Sequence, residues 1–455
     1  MDIVIIIFAL GLFTILAFKG VSAVIMGPLV GLIVSILAKL PVTETMLGPF
    51  MKSTAYYVER FFLVFFLGAV FGAIYEETGA AKSVAIGIVK FSRGRFSASI
   101  VFLIGSLLTF GGISGFVVFF VLYPIALQLF RENDISRKIL PGAISAGSWT
   151  ISMIAPNAPS IQNIIASRTL GTSGSAAPIP GWIGVIFELV AIIAWLEWRT
   201  YYTKKKGQLF NDSSLTPLPK EQNEEALSDV NLPNFWLSLI PLAVIVGTFN
   251  VCDYLRKAYP QEAPNAIVGV LKHITVEGAV FLGIILSLIM FHKKLKGRGL
   301  QKITKPLNTG GVNGVSAIMN TAVVVGFGGV VQQTAGFKHL VNSVLSWNIS
   351  PLWFVAIAVG ICAGAVGSAS GGITIAFESL KDTFVSLGVN LEYVHRIGVI
   401  AAGTLDTLPH QGAQITLLNL CHLTHKEGYL DIAVTQIIIP ILALFVVIPV
   451  CTMGL

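Results

Sequence analysis

The sequence predicts an all-α membrane protein of about 10–12 transmembrane helices, built from two inverted copies of one unit, with two re-entrant hairpins and several broken helices. Three observations predict this class. Hydrophobic residues make up 54% and charged residues 12% of the 455 residues, whereas a soluble domain carries about 25% charged residues. Apolar runs recur along the whole chain. Short motifs also recur at one offset, at corresponding breaks in these runs.

The apolar runs predict the spans, because a helix needs about 20 apolar residues to cross hydrocarbon. We expect the first run to be a retained helix, since no basic region precedes it and it lacks a small-residue cleavage site. Interrupted runs predict a binding site, because non-helical backbone at membrane depth survives only inside protein or beside a water-filled cavity. The continuous runs lie at 3–17, 21–37, 61–74, 101–129, 182–198, 236–251, 276–291, 315–331, 352–365 and 432–450, and the interrupted ones at 142–165, 371–387 and 398–420.

A polar stretch divides the chain. Residues 199–231 contain the triplet Lys204-Lys205-Lys206 and lack apolar periodicity, which is typical of an aqueous linker. Because short loops rich in Lys and Arg face the cytoplasm, we expect this linker to be cytoplasmic. The sequence therefore predicts three parts: a first membrane repeat at 1–198, a cytoplasmic linker at 199–233 and a second, inverted membrane repeat at 234–455.

Duplication is indicated by positions that recur 256 residues apart. Ser114-Gly115 recurs as Ser370-Gly371. Charge indicates that the copies are inverted, since residues 78–97 contain four Lys or Arg and the matching residues 334–352 contain only Lys338. Two parallel copies would carry matching charge on both loops.

Two Gly-Ser motifs are candidate substrate sites, with Ser114 and Gly115 in the first and Ser368, Ser370 and Gly371 in the second. Glycine lets a backbone turn without a Cβ clash, and serine hydroxyls both donate and accept hydrogen bonds. Half-helix N-termini at such tips favour a bound carboxylate. The alternative is close packing of helices through small residues.

Two Pro-centred motifs add further candidate substrate-binding residues. Proline breaks the helical hydrogen-bond ladder and frees backbone groups, which polar side chains nearby or a ligand must then satisfy. The alternative is a structural re-entrant loop whose amides are all satisfied. The candidates are Asn157, Ser160 and Asn163, beside Gln162, in the first motif, and His410, Gln411 and Gln414 in the second.

Asp406 and His410 are the candidate ion-coupling residues. They lie four residues apart and share a face if the backbone is helical. Ionisable groups at membrane depth are costly and usually functional, and a histidine can relay a proton near neutral pH. The alternative is that Asp406 pairs with Arg396 or another base and has only a structural role.

The phrases at 404–418 (TLDTLPHQGAQITLL) and 155–164 (APNAPSIQNI) resemble the gluconate permease family of the ion transporter superfamily, and most of all its hydroxybutyrate permease-like members. The resemblance covers essentially the whole chain. The two Pro-centred motifs are fairly specific to that family, and the Gly-Ser hairpins are generic to the superfamily. The polar residues around the second motif differ from those of gluconate-type members, which favours a short hydroxy acid over a sugar acid.

The resemblance implies a multi-pass inner-membrane symporter of small carboxylates, usually driven by protons. It also implies a homodimer in which a transport region carrying both hairpins makes an elevator-type movement against a scaffold. From it we expect a symporter for a small organic monocarboxylate such as 3-hydroxybutyrate, coupled to H+. Sodium coupling and a gluconate-like substrate are the alternatives. We expect membrane lipid, the organic anion and a second copy as partners, and no cofactor besides the coupling ion.

Other function classes fit the sequence less well. The +7 net charge is explained by topology, so we expect no nucleic-acid partner. No metal cluster or Walker A motif is present, and the four cysteines form no CxxC motif. Residues 112–115 match the G-x-S-G site of rhomboid-type serine proteases, but Ser370 duplicates Ser114, whereas a protease needs one nucleophile and a histidine base. We therefore expect no enzyme, and an ion channel remains a third option.

Overall fold

The computed structural model describes residues 2–19, 21–92, 96–113, 115–218, 232–259, 264–295, 299–337, 339, 349–409 and 411–454. The described residues form helices joined by turns and contain no strand, which confirms the predicted all-α class. In chain order the helices are Asp2–Phe18 (α1), Ala23–Leu37 (α2), Val42–Glu77 (α3), Ala80–Ser92 (α4), Ser97–Phe110 (α5), Gly115–Glu132 (α6), Leu140–Trp149 (α7), Ile151–Ile154 (α8), Ile161–Leu170 (α9), Pro178–Lys205 (α10), Phe235–Ala258 (α11), Ala266–Leu271 (α12), Val276–Phe291 (α13), Gln301–Val331 (α14), Pro351–Val366 (α15), Ala369–Ser386 (α16), Leu391–Leu405 (α17), Gly412–Leu420 (α18) and His425–Thr452 (α19).

Five described helices are long and apolar enough to cross a membrane, namely α3, α10, α11, α14 and α19. The 28 residues of α10 reach about 42 Å at 1.5 Å per residue, against a hydrocarbon core of about 30 Å. Shorter apolar helices accompany them, among them α2, α5, α13 and most of α15. These long apolar helices agree with the membrane class that the composition predicted.

Two helical hairpins and two broken helices interrupt the fold. The predicted span at 101–129 is wrong as a single helix, because α5 ends at Phe110 and α6 starts at Gly115, with Gly112 at φ +94° in the turn. The predicted break within 371–387 is also wrong. Gly371 and Gly372 lie in the first turn of the continuous helix α16, where a Cβ on Gly372 would be 2.2 Å from the Cα of Ala363. Gly372 therefore allows α15 and α16 to pack closely.

The two ends of helix α10 serve as the reference for the orientation of the hairpins. We call its Lys205 side the linker end and its Pro178 side the far end. The turn after α6 lies at the linker end, where the Asp134 carboxylate accepts from the amide of Phe210 at 3.1 Å. The turn after α16 leads to α17 at the far end, where Glu392 accepts from the amide of Ala177 at 3.3 Å. The hairpins therefore enter from opposite ends, as two inverted copies would.

The helices pack into two bundles, and each bundle takes elements from both halves of the sequence. The first bundle contains α1, α2, α3, α11, α13 and α14. The second contains α5 to α10 and α15 to α19. In the first bundle α3 and α14 approach closely because Gly310 and Gly314 carry no Cβ; a Cβ on Gly310 would lie 2.5 Å from the Cα of Val70. This spacing of small residues is a common device for close packing of membrane helices.

The stretch predicted as linker begins inside the fold. Helix α10 continues to Lys205, and Arg199 within it is buried in an ion pair with Asp431 of α19, at 2.7 Å from Nε to Oδ1. Residues after α10 then pack on the linker end of both halves. Arg137 donates to the carbonyl of Thr216 at 2.8 Å, and Lys138 pairs with Asp212 at 3.4 Å.

Glu427 joins this docked segment to the second half of the chain. Its carboxylate accepts from the amide of Thr216 at 2.8 Å and, in a capping box at the start of α19, from the amide and hydroxyl of Thr424 at 2.7 Å each. Partial burial raises the pKa of Glu427, but these hydrogen bonds outweigh it and lower the pKa from 4.5 to about 2. The ionised group therefore strengthens docking above pH 4.5, and this contribution is lost as the pH falls toward 2.

We predict that Glu427→Ala loosens the segment after α10. Loss of the cap and of the bonds to Thr216 exposes the bonds after Lys204–Lys206 to trypsin, and the unfolding free energy drops by about 1 kcal/mol. Limited proteolysis and a thermal-shift assay of the purified protein measure both effects. Glu59→Ala, which removes an exposed carboxylate on α3, is the matched control. Equal cleavage rates for the two variants would contradict the assignment.

Candidate functional site

Two cavities lie between the bundles. The linker-side cavity, of about 450 Å³, lies between the α1–α2 turn and α14 on one side and the α15–α16 tip and the break after α17 on the other. The inner cavity, of about 280 Å³, lies between α3, α13 and α14 and the α5–α6 tip with the break before α9. Since one bundle supplies each side, movement of the bundles against each other would change both cavities.

The two cavities share a wall of five residues. Trp149, Gln162, Asn320, Thr321 and Ser370 line both. Gln162 belongs to the first Pro-centred motif and Ser370 to the second hairpin tip, so the wall brings together elements from both halves of the sequence. Its amides and hydroxyls both donate and accept hydrogen bonds, which suits a solute with carboxylate and hydroxyl oxygens.

The second hairpin tip points the N-terminus of α16 at the linker-side cavity. Ser368 is the N-cap, and its Oγ accepts from the amide of Gly371 at 3.3 Å and lies 3.3 Å from the Oγ of Ser370. Ser368 and Ser370 line the cavity, whereas Gly371 does not. The 18-residue helix behind them adds a positive dipole end, which favours an anion.

The first hairpin tip borders the inner cavity. Gly112, Ile113 and Gly115 line it, and Ser114 lies outside the described residues. A Cβ on Gly115 would lie 2.6 Å from the indole Nε1 of Trp149 and 2.9 Å from the carbonyl of Ser148. Gly115 therefore allows the tip to sit against the shared wall.

Asp406 is the one ionisable side chain on the described lining of the linker-side cavity. It is 4% exposed and follows the last residue of α17, where a carboxylate opposes the negative end of the helix dipole. Gln411 donates to its Oδ2 at 3.5 Å, while Oδ1 has no hydrogen-bond partner among the described residues. Burying such an acid costs free energy, and ionisable residues at membrane depth are usually functional. His410, its proposed relay partner, lies outside the described residues.

Arg396 does not pair with Asp406, which was the alternative expectation. Its fully buried guanidinium donates to the carbonyls of Ile154 and Ala176 and to the Oδ1 of Asn163, the last at 3.2 Å. The side chain therefore holds the backbone freed by the first Pro-centred motif.

Asn163 and Ser160 complete that support. Asn163 Nδ2 donates to the carbonyls of Met153 and Ala155 at 3.1 and 3.2 Å and to the Ser160 Oγ at 2.9 Å, and its Oδ1 lies 3.1 Å from the Nε2 of His395. Ser160 and Met153 line the inner cavity, whereas Asn163 does not. Asn163 therefore positions two lining residues of that cavity, Met153 and Ser160, without lining it itself.

Two more predicted residues lie away from both cavities. Asn157 adopts φ +65°, and its carbonyl accepts from Asn250 at 3.2 Å. Gln414 is fully buried, where it accepts from the Ser145 hydroxyl at 2.9 Å and donates to Gln436 at 3.3 Å. Neither lines a cavity, whereas Gln411 lines the linker-side one. Substrate binding by each of these residues stays a prediction.

Sequence reasoning missed three residues of the shared wall: Trp149, Asn320 and Thr321. The signal for two of them was present, since Asn320-Thr321 is the polar pair inside the apolar run at 315–331, and polar groups within a membrane span often mark a substrate path. No pattern in the sequence singled out Trp149, and its place is visible only from the contact of α7 with Gly115 at the hairpin tip.

Comparison with known proteins identifies the class. The chain is 33% identical over 463 aligned positions to the "Uncharacterized transporter YxjC" of Bacillus subtilis (strain 168), covering 96% of each protein. The chain belongs to the transporter family of YxjC. It is also 23% identical over 304 positions to an "Uncharacterized permease" of Haemophilus influenzae, covering 64% of this chain and 59% of that protein. No protein-family model matches the chain.

A solved structure shows the same fold. The YdaH transporter of Alcanivorax borkumensis, described as having an unusual topology, superposes with a TM-score of 0.55 at 11% identity, covering 89% of this chain and 86% of that one. These comparisons make this protein a membrane transporter of the YxjC family. The narrower resemblance to gluconate permeases remains a prediction.

We predict that Gly115→Ala impairs this transporter by displacing Trp149 from the shared wall. Overpacking of this kind costs about 1–3 kcal/mol, so we expect a lower melting temperature and a changed Trp fluorescence spectrum. Gly247→Ala on α11, where nothing lies within 4 Å of the added Cβ, is the matched control. If Gly115→Ala, like the control, has the fluorescence spectrum and stability of the parent, the hairpin tip does not need the close approach of Gly115 to Trp149.

Proposed function

We propose that this transporter is a secondary active symporter that brings a small organic monocarboxylate, such as 3-hydroxybutyrate, into the cell together with a proton. The observation that carries the proposal is the shared wall, where polar side chains from both repeats meet between the bundles beside the N-terminus of α16. Donors at this wall suit a carboxylate, and Asp406 offers a protonation site on the same cavity.

The size of the inner cavity favours a small solute. Its volume of about 280 Å³ lies at the lower limit of small-molecule sites, which span about 300–1,000 Å³. Ser160, Gln162 and Ser370 offer the hydrogen bonds that a carboxylate and one hydroxyl require. A sugar acid such as gluconate, with more hydroxyls, is the alternative substrate.

Coupling follows from charge. A carboxylate entering a low-dielectric interface is costly, and a cation bound with it lowers that cost. Asp406 would carry the proton, with His410 as its relay. Sodium in place of the proton is the alternative, since the carboxylate and nearby carbonyls suit a hard cation.

Transport would use alternating access. The second bundle carries both hairpin tips and would move in an elevator-type step against the first, within a homodimer in the inner membrane and with the linker in the cytoplasm. A remote alternative, an intramembrane serine protease that uses Ser114, requires a histidine base in contact with that serine. The membership of a transporter family favours transport.

The deciding experiment is uptake of labelled 3-hydroxybutyrate and gluconate into proteoliposomes under an imposed proton or sodium gradient. We expect saturable, proton-driven accumulation of the hydroxy acid. Accumulation that follows only the sodium gradient would select the sodium alternative. Flux that neither saturates nor follows a gradient would indicate a channel and overturn the proposal.

Asp406→Asn tests the coupling residue. The amide keeps the shape and loses the ionisable proton, so we expect gradient-driven accumulation to disappear while exchange of labelled for unlabelled acid persists. Asp382→Asn, at an exposed position of α16, should keep both activities. Undiminished accumulation by Asp406→Asn would move the coupling site elsewhere.

Ser370→Ala tests the shared wall. A hydrogen bond to a charged ligand contributes about 1.5–3 kcal/mol, so its loss should raise the KM for uptake about tenfold or more. Ser386→Ala removes an exposed serine of the same helix and should leave the KM unchanged. If both variants have the parental KM, Ser370 does not contact the substrate.

A further inference from the structure

A third cavity lies at the far end, outside the site described above. This outer cavity, of about 420 Å³, lies between the end of α9, the residues that follow it, α11 and the start of α13. Its charged lining consists of Arg168, Arg256, Lys257 and Asp253, with hydroxyls from Ser167, Thr172, Ser173 and Thr275 beside them. Three cationic side chains face one carboxylate on this lining, and a cleft in which one sign of charge predominates attracts counter-ions.

The one carboxylate on this lining is already shared. Asp253 accepts from Ser175 at 3.1 Å and from Arg256 at 3.5 Å, and Lys257 donates to the same Ser175 at 2.6 Å. Arg256 also donates to the carbonyl of Ile274 at 3.0 Å. Counting Glu277, which pairs with Arg168, three cationic groups face two carboxylates, and a small anion would balance the remaining positive charge.

An ion pair separates the outer cavity from the inner one. Arg168 of α9 lines the outer cavity, Glu277 of α13 lines the inner cavity, and Val276 lines both. The Arg168 guanidinium pairs with the Glu277 carboxylate, and these side chains are 28% and 13% exposed. Since α9 belongs to the second bundle and α13 to the first, this pair also joins the bundles.

Backbone contacts reinforce the same junction. Arg168 donates to the carbonyl of Arg60 on α3, and Arg60 donates to the carbonyl of Arg168. Glu277 uses only Oε1 toward Arg168, and its buried Oε2 has no hydrogen-bond partner among the described residues. Guanidinium groups bind carboxylates best through two parallel hydrogen bonds, so a free carboxylate in the outer cavity can compete for Arg168 with Glu277.

We propose that the outer cavity is a second binding site for a small carboxylate, at which the anion replaces Glu277 as the partner of Arg168 and thereby opens the passage to the inner cavity. This inference rests on the proposed function, from which the identity of the anion as a small carboxylate is taken. Arg256 and Lys257 collect the anion, and Arg168 exchanges partners. Arrival of the anion thus weakens the contact that holds the bundles together at the far end.

The test measures access to a cysteine placed behind the ion pair. Val280 lines the inner cavity one turn beyond Glu277 on α13. In the full chain with Cys252, Cys362, Cys421 and Cys451 replaced by Ala, Val280→Cys is exposed to a membrane-impermeant methanethiosulfonate added outside intact cells. A low-salt, sucrose-balanced medium limits screening. Ala23→Cys, at the linker-side cavity, should stay unlabelled and thus reports the orientation.

We expect slow labelling of Val280→Cys that rises about fivefold, the effect of losing one ion pair, when 3-hydroxybutyrate or butyrate is added, and no rise with the neutral butyramide. Arg168→Gln and Glu277→Gln should each label fast without the anion. Arg256→Gln with Lys257→Gln should label slowly and lose the response to the anion. Lys52→Gln removes an exposed cation outside the cavity and should keep the slow labelling and the response to the anion.

Two outcomes would overturn the inference: no response to either acid in the parent, or a full response in the Arg256→Gln, Lys257→Gln variant. Uptake measured in parallel separates this inference from the proposed function. Labelling that responds to the acids without any uptake leaves the outer site standing and refutes the symporter. Uptake with unresponsive labelling leaves the symporter standing and refutes the outer site.

Discussion

The constraint on which this structure depends is that backbone groups freed at membrane depth need partners inside the protein. Both Pro-centred breaks satisfy this constraint, each with different side chains. At the first, Arg396 and Asn163 take up the carbonyls of Ile154, Met153 and Ala155. At the second, Tyr429 donates to the carbonyl of Thr407 at 2.8 Å, and the His425 ring lies 2.9 Å from the carbonyl of Pro409. Because all of these supports lie on helices of the second bundle, the breaks are held as part of one body.

That difference gives the two copies different roles. The first break lies beside a fully buried cation, Arg396, which donates to backbone carbonyls and to the side-chain amide of Asn163. The second break carries the buried carboxylate Asp406 and lines the linker-side cavity. The two breaks thus differ in chemistry: one is supported by a buried cation, and the other carries an ionisable acid. The proposed coupling at Asp406 would use this asymmetry, since only one of the two breaks carries an acid.

Local breaks and hairpin tips could be predicted from the sequence, whereas the assignment of helices to the two bundles could not. Breaks around Pro156 and Pro409, the two hairpin tips and the inversion all follow from local rules, because proline, glycine and charged loops act within a few residues. Membership of the two bundles depends on contacts between distant helices. The approach of Gly310 to Val70 cannot be read from spacing alone. For the same reason the sequence could not show that the hydrogen bonds of Asn163 and Gln414 run to backbone and to buried side chains.

The arrangement of contacts between the bundles indicates which end is closed. At the far end the bundles are joined by Arg168 with Glu277, by Asn250 with the carbonyl of Asn157, and by Ser175 with Asp253. Toward the linker end the larger cavity, with Asp406 on its lining, separates α2 and α14 from the second hairpin tip. Alternating access requires that one set of such contacts breaks as another forms. Polar contacts suit that purpose, because water or an arriving anion can replace each partner when the contact opens, whereas a packed apolar contact would lose its burial with nothing in exchange.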